Sequence, residues 1–126
     1  MKSGDIFWSQ SEGIGDEEQG RHPWIMLSTE ELARNGGLVI AVPVTSNPIR
    51  YKRWDVYLTP SEIECRPNAL HPLDPKKLDG VVKCAKLRHW STRRVDEVVG
   101  RATTFFVNRL RVVAGDALGR IREGRA

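Results

Sequence analysis

The clearest period in this chain is helical, and it comes at the very end. Phe106, Leu110, Val113, Ala114, Ala117, Leu118 and Ile121 fall at offsets of 4, 7, 8, 11, 12 and 15 from the first of them, the single-face pattern of an amphipathic helix. Thr103 or Thr104 can cap its start by accepting a backbone N–H, and Gly119 with the tail 120–126 marks its end. Phe105 and Val107 flank the main face, either as core residues or as contacts to a second surface. Earlier segments are shorter and of another kind. Ile6-Phe7-Trp8, Trp24 to Leu27, Leu38 to Val44, Trp54 to Leu58 and Gly80 to Ala85 are runs rich in Val, Ile, Trp and Tyr, each bounded by Gly, Pro, Ser or Asn. Such runs read as strands. Asn35-Gly36-Gly37 reads as a hairpin turn. The segment 59–79 holds Pro60, Pro67, Pro72 and Pro75 and is expected to be a long loop with one helical turn around Ser61 to Cys65. Many short strands followed by one helix predict a mainly β protein, a curled antiparallel sheet or small barrel with the C-terminal helix packed on it.

A length of 126 residues allows one domain, here residues 1–126. No segment approaches the roughly 20 apolar residues of a membrane span, and the start, Met1-Lys2-Ser3-Gly4-Asp5, carries no apolar signal region. A cytoplasmic protein is expected. Cys65 and Cys84 lack the spacing of a zinc site or redox pair, so two reduced thiols are expected, one of them in the core. With three scattered histidines beside them, no metal or other cofactor is expected.

The net charge of +4 conceals an asymmetry: residues 1–75 hold 7 Lys/Arg against 11 Asp/Glu, while residues 76–126 hold 13 against 5. The balances are −4 and +8, so the second half is the basic half. Basic residues at 83, 86, 88, 93, 94 and 101 are spread along what reads as a strand, a connection and another strand. They could present a surface to a polyanion or an acidic partner, or simply form a solvated face.

Between Asp16 and Ser28 an acidic loop turns at Gly20 and delivers Arg21 and His22 into an apolar strand, with Pro23 holding His22 extended where loop is expected to become strand. The run Leu38 to Val44 ends in Thr45-Ser46-Asn47-Pro48, which brings two hydroxyls to a strand end. Cleavage of RNA without metal needs a base for the 2′-hydroxyl proton, an acid for the 5′-oxygen, and fixed donors for a phosphorane whose extra charge exists only in the transition state. Histidine is the side chain whose charge changes near neutral pH, so His22 can serve as acid or base. Arg21 or Lys83 can meet the phosphorane, and Thr45 and Ser46 can donate to phosphate oxygens. The plain alternatives are a strand-edge histidine bonded to a carbonyl and a turn that merely ends a strand. His71, in the proline-rich loop, and His89, beside Trp90, have weaker claims.

In order and spacing these motifs resemble the MazF/PemK (Kid) family of toxin–antitoxin endoribonucleases over nearly the whole chain. Gly4-Asp5-Ile6-Phe7-Trp8 resembles its opening Gly-[Asp/Glu]-Ile-Trp, and residues 15–23, Gly-Asp-Glu-Glu-Gln-Gly-Arg-His-Pro, its Gly-x-Glu-Gln-x-Gly-x-Arg-Pro. Val42-Pro43-Val44-Thr45-Ser46 is similar to Val-Pro-Val-Thr-Ser, and residues 80–88, Gly-Val-Val-Lys-Cys-Ala-Lys-Leu-Arg, to Gly-Val-Val-Arg-Cys-Asp-Gln-x-Arg. Gly100-Arg101 ahead of a helix also agrees.

The resemblance implies a half-open antiparallel β-barrel of the Src-homology-three-like, plasmid-maintenance-toxin type with a C-terminal helix. It also implies a homodimer, metal-independent cleavage of single-stranded RNA, and inhibition by an antitoxin, expected here to be acidic. Carried over by position, the catalytic set is His22, Arg21, Thr45 and Lys83, and the RNA-binding set is Asp16, Glu17, Ser46, Trp54, Lys86 and Arg88. His22 stands where the family has a catalytic arginine, with Arg21 one position earlier. Lys83 replaces another arginine, Ala85 stands where some members carry a catalytic aspartate, and Asp16 where some carry a loop histidine. Thr45, Ser46 and Arg88 keep the family's residue types. These departures leave a second expectation beside the nuclease: a degenerate module of the same fold that binds RNA, an antitoxin or gyrase without cutting.

Overall fold

The computed structural model describes residues 1–11, 20–45, 53–74 and 80–119. In chain order the elements are β1 (Asp5–Ser11), β2 (Gly20–Met26), α1 (Glu30–Gly36), β3 (Leu38–Thr45), β4 (Asp55–Tyr57), β5 (Ile63–Cys65), β6 (Val81–Lys83), β7 (Arg88–Ser91), β8 (Gly100–Ala102) and α2 (Thr104–Ala117). Short 3-10 turns lie at Pro60–Glu62, Cys84–Lys86 and Thr92–Arg94. The strands form one antiparallel sheet in the order β4-β6-β3-β2-β1-β8-β5, with β7 also paired to β3.

Chain connectivity alone forces this sheet to curl. β4 and β5 are its two ends, yet only residues 58–62 join them. Laid flat, seven strands would hold their outer members about 29 Å apart at some 4.8 Å per gap, whereas the six steps from Tyr57 to Ile63 reach at most about 20–22 Å. The sheet therefore bends toward closure, and a half-open barrel with a C-terminal helix results.

Alternation along the strands sorts the core into two layers. Ile6, Ile25, Val42 and Val44 face the concave side, where α2 closes the core with Phe106, Val107, Leu110 and Ala114. Phe7, Trp24, Met26, Val39 and Ala41 face the other side with Trp90, beneath Ala33 of α1. Trp24 and Trp90 meet edge to face at 5.0 Å between ring centroids. The Thr103 hydroxyl caps α2 by accepting from the Phe106 N–H at 3.2 Å, and Arg111 docks the helix by donating to the Leu27 carbonyl at 2.8 Å. Ile121 and the tail lie outside the described residues.

Several expectations change. Asn35-Gly36-Gly37 is not a hairpin turn: it ends α1, whose N-cap Thr29 accepts from Leu32 and whose C-cap Gly37 adopts φ 66°, the left-handed conformation that glycine tolerates. The expected strand Gly80 to Ala85 stops at Lys83 and gives way to the 3-10 turn Cys84–Lys86. That turn resets the register along β3: Val44 and Thr45 pair with β6, Leu38 to Ala41 pair with β7, and Pro43, which lacks an N–H, falls in the gap between the two ladders. The helical turn expected around Ser61 to Cys65 is a 3-10 turn at Pro60–Glu62, and residues 63–65 are a strand. Val107 is a core residue at 2% exposure, whereas Phe105 is exposed.

Candidate active site

β2 begins at Gly20, earlier than the loop-to-strand boundary expected at Pro23, so Arg21 and His22 both belong to a strand. Opposite β1, Ser9 faces His22, Gln10 faces Arg21 and Trp8 faces Pro23. Trp24 pairs with Pro43 on β3, and the same register carried two residues further sets His22 beside Thr45. Alternation then gives the two candidates different faces: His22 shares one with Trp24 and Thr45, while Arg21 shares the other with Trp8 and Pro23.

Both faces meet at the rim, where a cleft of about 450 Å³ is lined by Trp8, Arg21, His22, Pro23, Val44, Thr45, Gly80 and the loop residues Pro72, Leu73 and Asp74. Arg21 is exposed, His22 half-buried and Thr45 buried. The guanidinium of Arg21 lies 5.9 Å above the Trp8 ring centroid, within cation–π range. Gly80 is demanded by contact: a Cβ there would collide with the Thr45 carbonyl oxygen. Trp8 and Arg21 also border two smaller recesses of about 300 and 230 Å³, one reaching Leu70, His71 and Glu97 and the other Ser9 and Arg94. Trp8, Arg21, His22, Thr45 and Asp74 thus all border this one cleft.

The other candidates lie elsewhere. Lys83 is on β6 with its ammonium 3.1 Å from Asp55, a carboxylate on β4 only 3% exposed. Trp54 donates its indole N–H to Asp116 of α2 at 3.2 Å, and the same carboxylate holds Arg53 at 2.9 Å. Arg53 covers the Trp54 ring at 5.5 Å. This corner fastens β4 to the end of α2. Lys86 lies in the 3-10 turn and Arg88 on β7, both half-buried and neither on the cleft wall. Asp16, Glu17 and Ser46 lie outside the described residues. His71 reaches the smaller recess and His89 is exposed on β7. The basic half is partly neutralised by carboxylates of the acidic half, since Arg101 pairs with Asp5 at 3.0 Å much as Lys83 pairs with Asp55.

Cys84 is buried and Cys65 half-buried, and both are free thiols, as expected from their spacing. Burial, reinforced by the Asp55 charge, pushes the Cys84 thiol up to about 12. Burial and then Asp74 raise Cys65 as well. Neither is a nucleophile at neutral pH. Sequence reasoning did not single out Trp8, Asp74 or Gly80 as cleft residues. Trp8 stands in the opening motif and Gly80 at a strand boundary, so each carried a local signal but none that specified a common cleft.

Comparisons with known proteins bear on the whole chain. No curated protein sequence matches it. Among solved structures it is similar to MazF from Deinococcus radiodurans, with 26% identity, a TM-score of 0.70, and coverage of 94% of this chain and 96% of that one. A MazE–MazF complex from the same organism aligns at 25% identity and a TM-score of 0.63, over 94% and 95% of the two chains. An endoribonuclease in complex with its cognate antitoxin from a mycobacterial species shares the fold at 19% identity and a TM-score of 0.65, over 94% and 95%. The family profile described as PemK-like, MazF-like toxin of type II toxin-antitoxin system matches residues 2–112. With the half-open barrel and the motif order already in place, that match establishes that the chain belongs to the PemK-like, MazF-like toxin family of type II toxin–antitoxin systems.

Proposed function

We propose that this protein is an endoribonuclease toxin that cleaves single-stranded RNA without metal in the cleft between β2, β3 and the loop 72–74. The observation that supports this reading is that Arg21, His22 and Thr45, from two separate strands, all border one cleft. In the reaction the substrate's 2′-oxygen bonds to phosphorus as the bond to the 5′-oxygen breaks. One proton leaves the 2′-hydroxyl and another reaches the departing oxygen. His22 makes one of these transfers, and Asp74 is the second titratable side chain on the wall. Arg21 and the Thr45 hydroxyl stabilise the phosphorane, and the Trp8 ring offers a flat surface to a base.

A cognate antitoxin would hold the enzyme in check, and the fold is similar to that of a MazE–MazF complex and of an endoribonuclease in complex with its cognate antitoxin. An acidic antitoxin suits the basic half, and its affinity should fall with ionic strength. The homodimer reading now rests on Phe105 and Val112, exposed at 76% and 60% and seven residues apart on α2, not on Val107. Cytoplasmic action follows from an RNA substrate.

A second reading has its own observation. Lys83 is held by buried Asp55 rather than presented to the cleft, so the fold lacks one cation that the nuclease reading assigned to phosphate. A module that binds RNA, antitoxin or gyrase without cutting remains the alternative. End-group analysis separates the two: the nuclease reading expects cleavage of single-stranded RNA in EDTA with 2′,3′-cyclic phosphate and 5′-hydroxyl ends, and an intact substrate would support the binding module.

A further inference from the structure

The cleft has one wall made of strand and one made of loop, and the loop wall is tied down by an acidic residue outside it. Glu97 accepts from the backbone N–H of Leu70 at 3.1 Å with one carboxylate oxygen and from that of His71 at 3.0 Å with the other. The His71 carbonyl in turn accepts from the Trp8 indole N–H at 2.7 Å, and Trp8 carries Arg21 on its ring. Immediately after His71 come Pro72, Leu73 and Asp74, with Leu73 anchored in the core at 4% exposure. One residue, His71, thus joins Glu97 through its N–H to the Trp8–Arg21 platform through its carbonyl.

Resting on the nuclease reading above, we propose that Glu97 is a positioning residue for RNA: it straps the loop 70–74 across the mouth of the half-barrel and thereby sets both the loop wall of the cleft and the orientation of Trp8 beneath Arg21. Glu97 borders the recess next to the cleft but does not line the cleft itself, so its effect passes through the peptide it holds. A carboxylate receiving two N–H groups is a charge-assisted pair stronger than neutral hydrogen bonds. Those two bonds keep the Glu97 carboxyl below the usual carboxylate range, with His71 and Arg21 adding smaller effects of the same sign. His22 and Thr45 are held by β2 and β3 and do not depend on the strap. Asp74 lies in the strapped loop whereas His22 and Thr45 do not, so loss of Glu97 should weaken substrate binding more than it slows the chemical step, a split that general destabilisation would not produce.

The test combines hydrogen exchange with binding and kinetics on the full chain. In Glu97→Ala the amides of Leu70 and His71 should exchange at least about tenfold faster, while those of Trp24, Ile25 and Met26 keep their rates. KM for single-stranded RNA, and Kd for a 2′-O-methyl oligonucleotide that cannot be cut, should rise about five- to tenfold, with kcat falling by less than KM rises. Glu97→Gln, which keeps one acceptor and loses the charge, should fall between the two and covers the case of an alanine variant that does not fold. Unchanged exchange at Leu70 and His71 would overturn the strap. Faster exchange with unchanged KM and Kd would overturn its role in positioning. If the wild type binds RNA without cutting it, the nuclease reading fails while the Kd comparison still judges the strap. If the wild type does not bind RNA at all, the reading of the site fails and takes the positioning role with it.

Discussion

The cleft and the β4–β6 corner draw on the same residue types and use them in opposite ways. At the cleft, Arg21 stands exposed beside the Trp8 ring, on a rim that His22 and Thr45 also border. In the corner, Lys83, Arg53 and Trp54 are already engaged by Asp55 and Asp116. A cation facing a cleft can stabilise a passing phosphate, whereas a cation held by a buried carboxylate stabilises the fold. Residue type and family position suggested RNA chemistry for Arg21 as for Lys83 and Trp54; exposure of the first and engagement of the other two divide them.

The largest effect that could break this division lies in the corner. Lys83→Ala removes the ammonium 3.1 Å from buried Asp55, and removal of one member of a buried pair costs about 3 kcal/mol. Chemical denaturation should show that loss, while the cleavage rate per folded molecule stays within about threefold. A variant of normal stability that no longer cuts RNA would move Lys83 into the site.

Arg21→Ala should do the reverse. Its exposed side chain adds little to stability, so the unfolding midpoint should hold while kcat/KM falls about tenfold, equivalent to about 1.4 kcal/mol of transition-state stabilisation. Equal activity in wild type and variant would leave Arg21 as surface only.

Cys84 sharpens the contrast by reporting on the corner without perturbing it. With its thiol held protonated up to about pH 12 in the folded state against an ordinary value of 9.0, its contribution to stability is fully present below about pH 9. That contribution declines as pH rises toward the folded value. At pH 8 the native protein should resist iodoacetamide at Cys84, and Lys83→Ala should speed the reaction by loosening the surrounding pair. Rapid labelling of the wild type would show that the corner is not closed.

Much of the fold was legible because its signals are local. Phe106, Leu110 and Ala114 carry the helical period of α2, and the Val/Ile/Trp runs mark β1, β2, β3, β4 and β6. α1 escaped because none of its seven residues is buried, so no apolar period betrays it, and its terminal glycines imitate a hairpin. The break after Lys83 escaped because a register shift along β3 belongs to the pairing partner, not to residues 84–86. The strand wall of the cleft was readable from motif order, which singled out Arg21, His22 and Thr45. Its loop wall was not, since the contacts from Glu97 to residues 70 and 71 cross 27 and 26 positions of chain. Nor does any local pattern say that Lys83 is taken by Asp55, 28 positions away.

The central claim is that His22 has taken up proton transfer at the position where the family carries arginine, and the dependence of RNA cleavage rate on pH tests it most directly. Wild type should show an inflection between about pH 5 and 8, where imidazole side chains change charge and guanidinium groups do not. His22→Ala should lose that inflection and about two orders of magnitude or more in rate while remaining folded, and Arg21→Ala should keep the inflection at a lower rate. A His22→Ala variant with full activity and an unchanged profile, alongside an inactive Arg21→Ala, would contradict the account and make Arg21 the displaced family arginine.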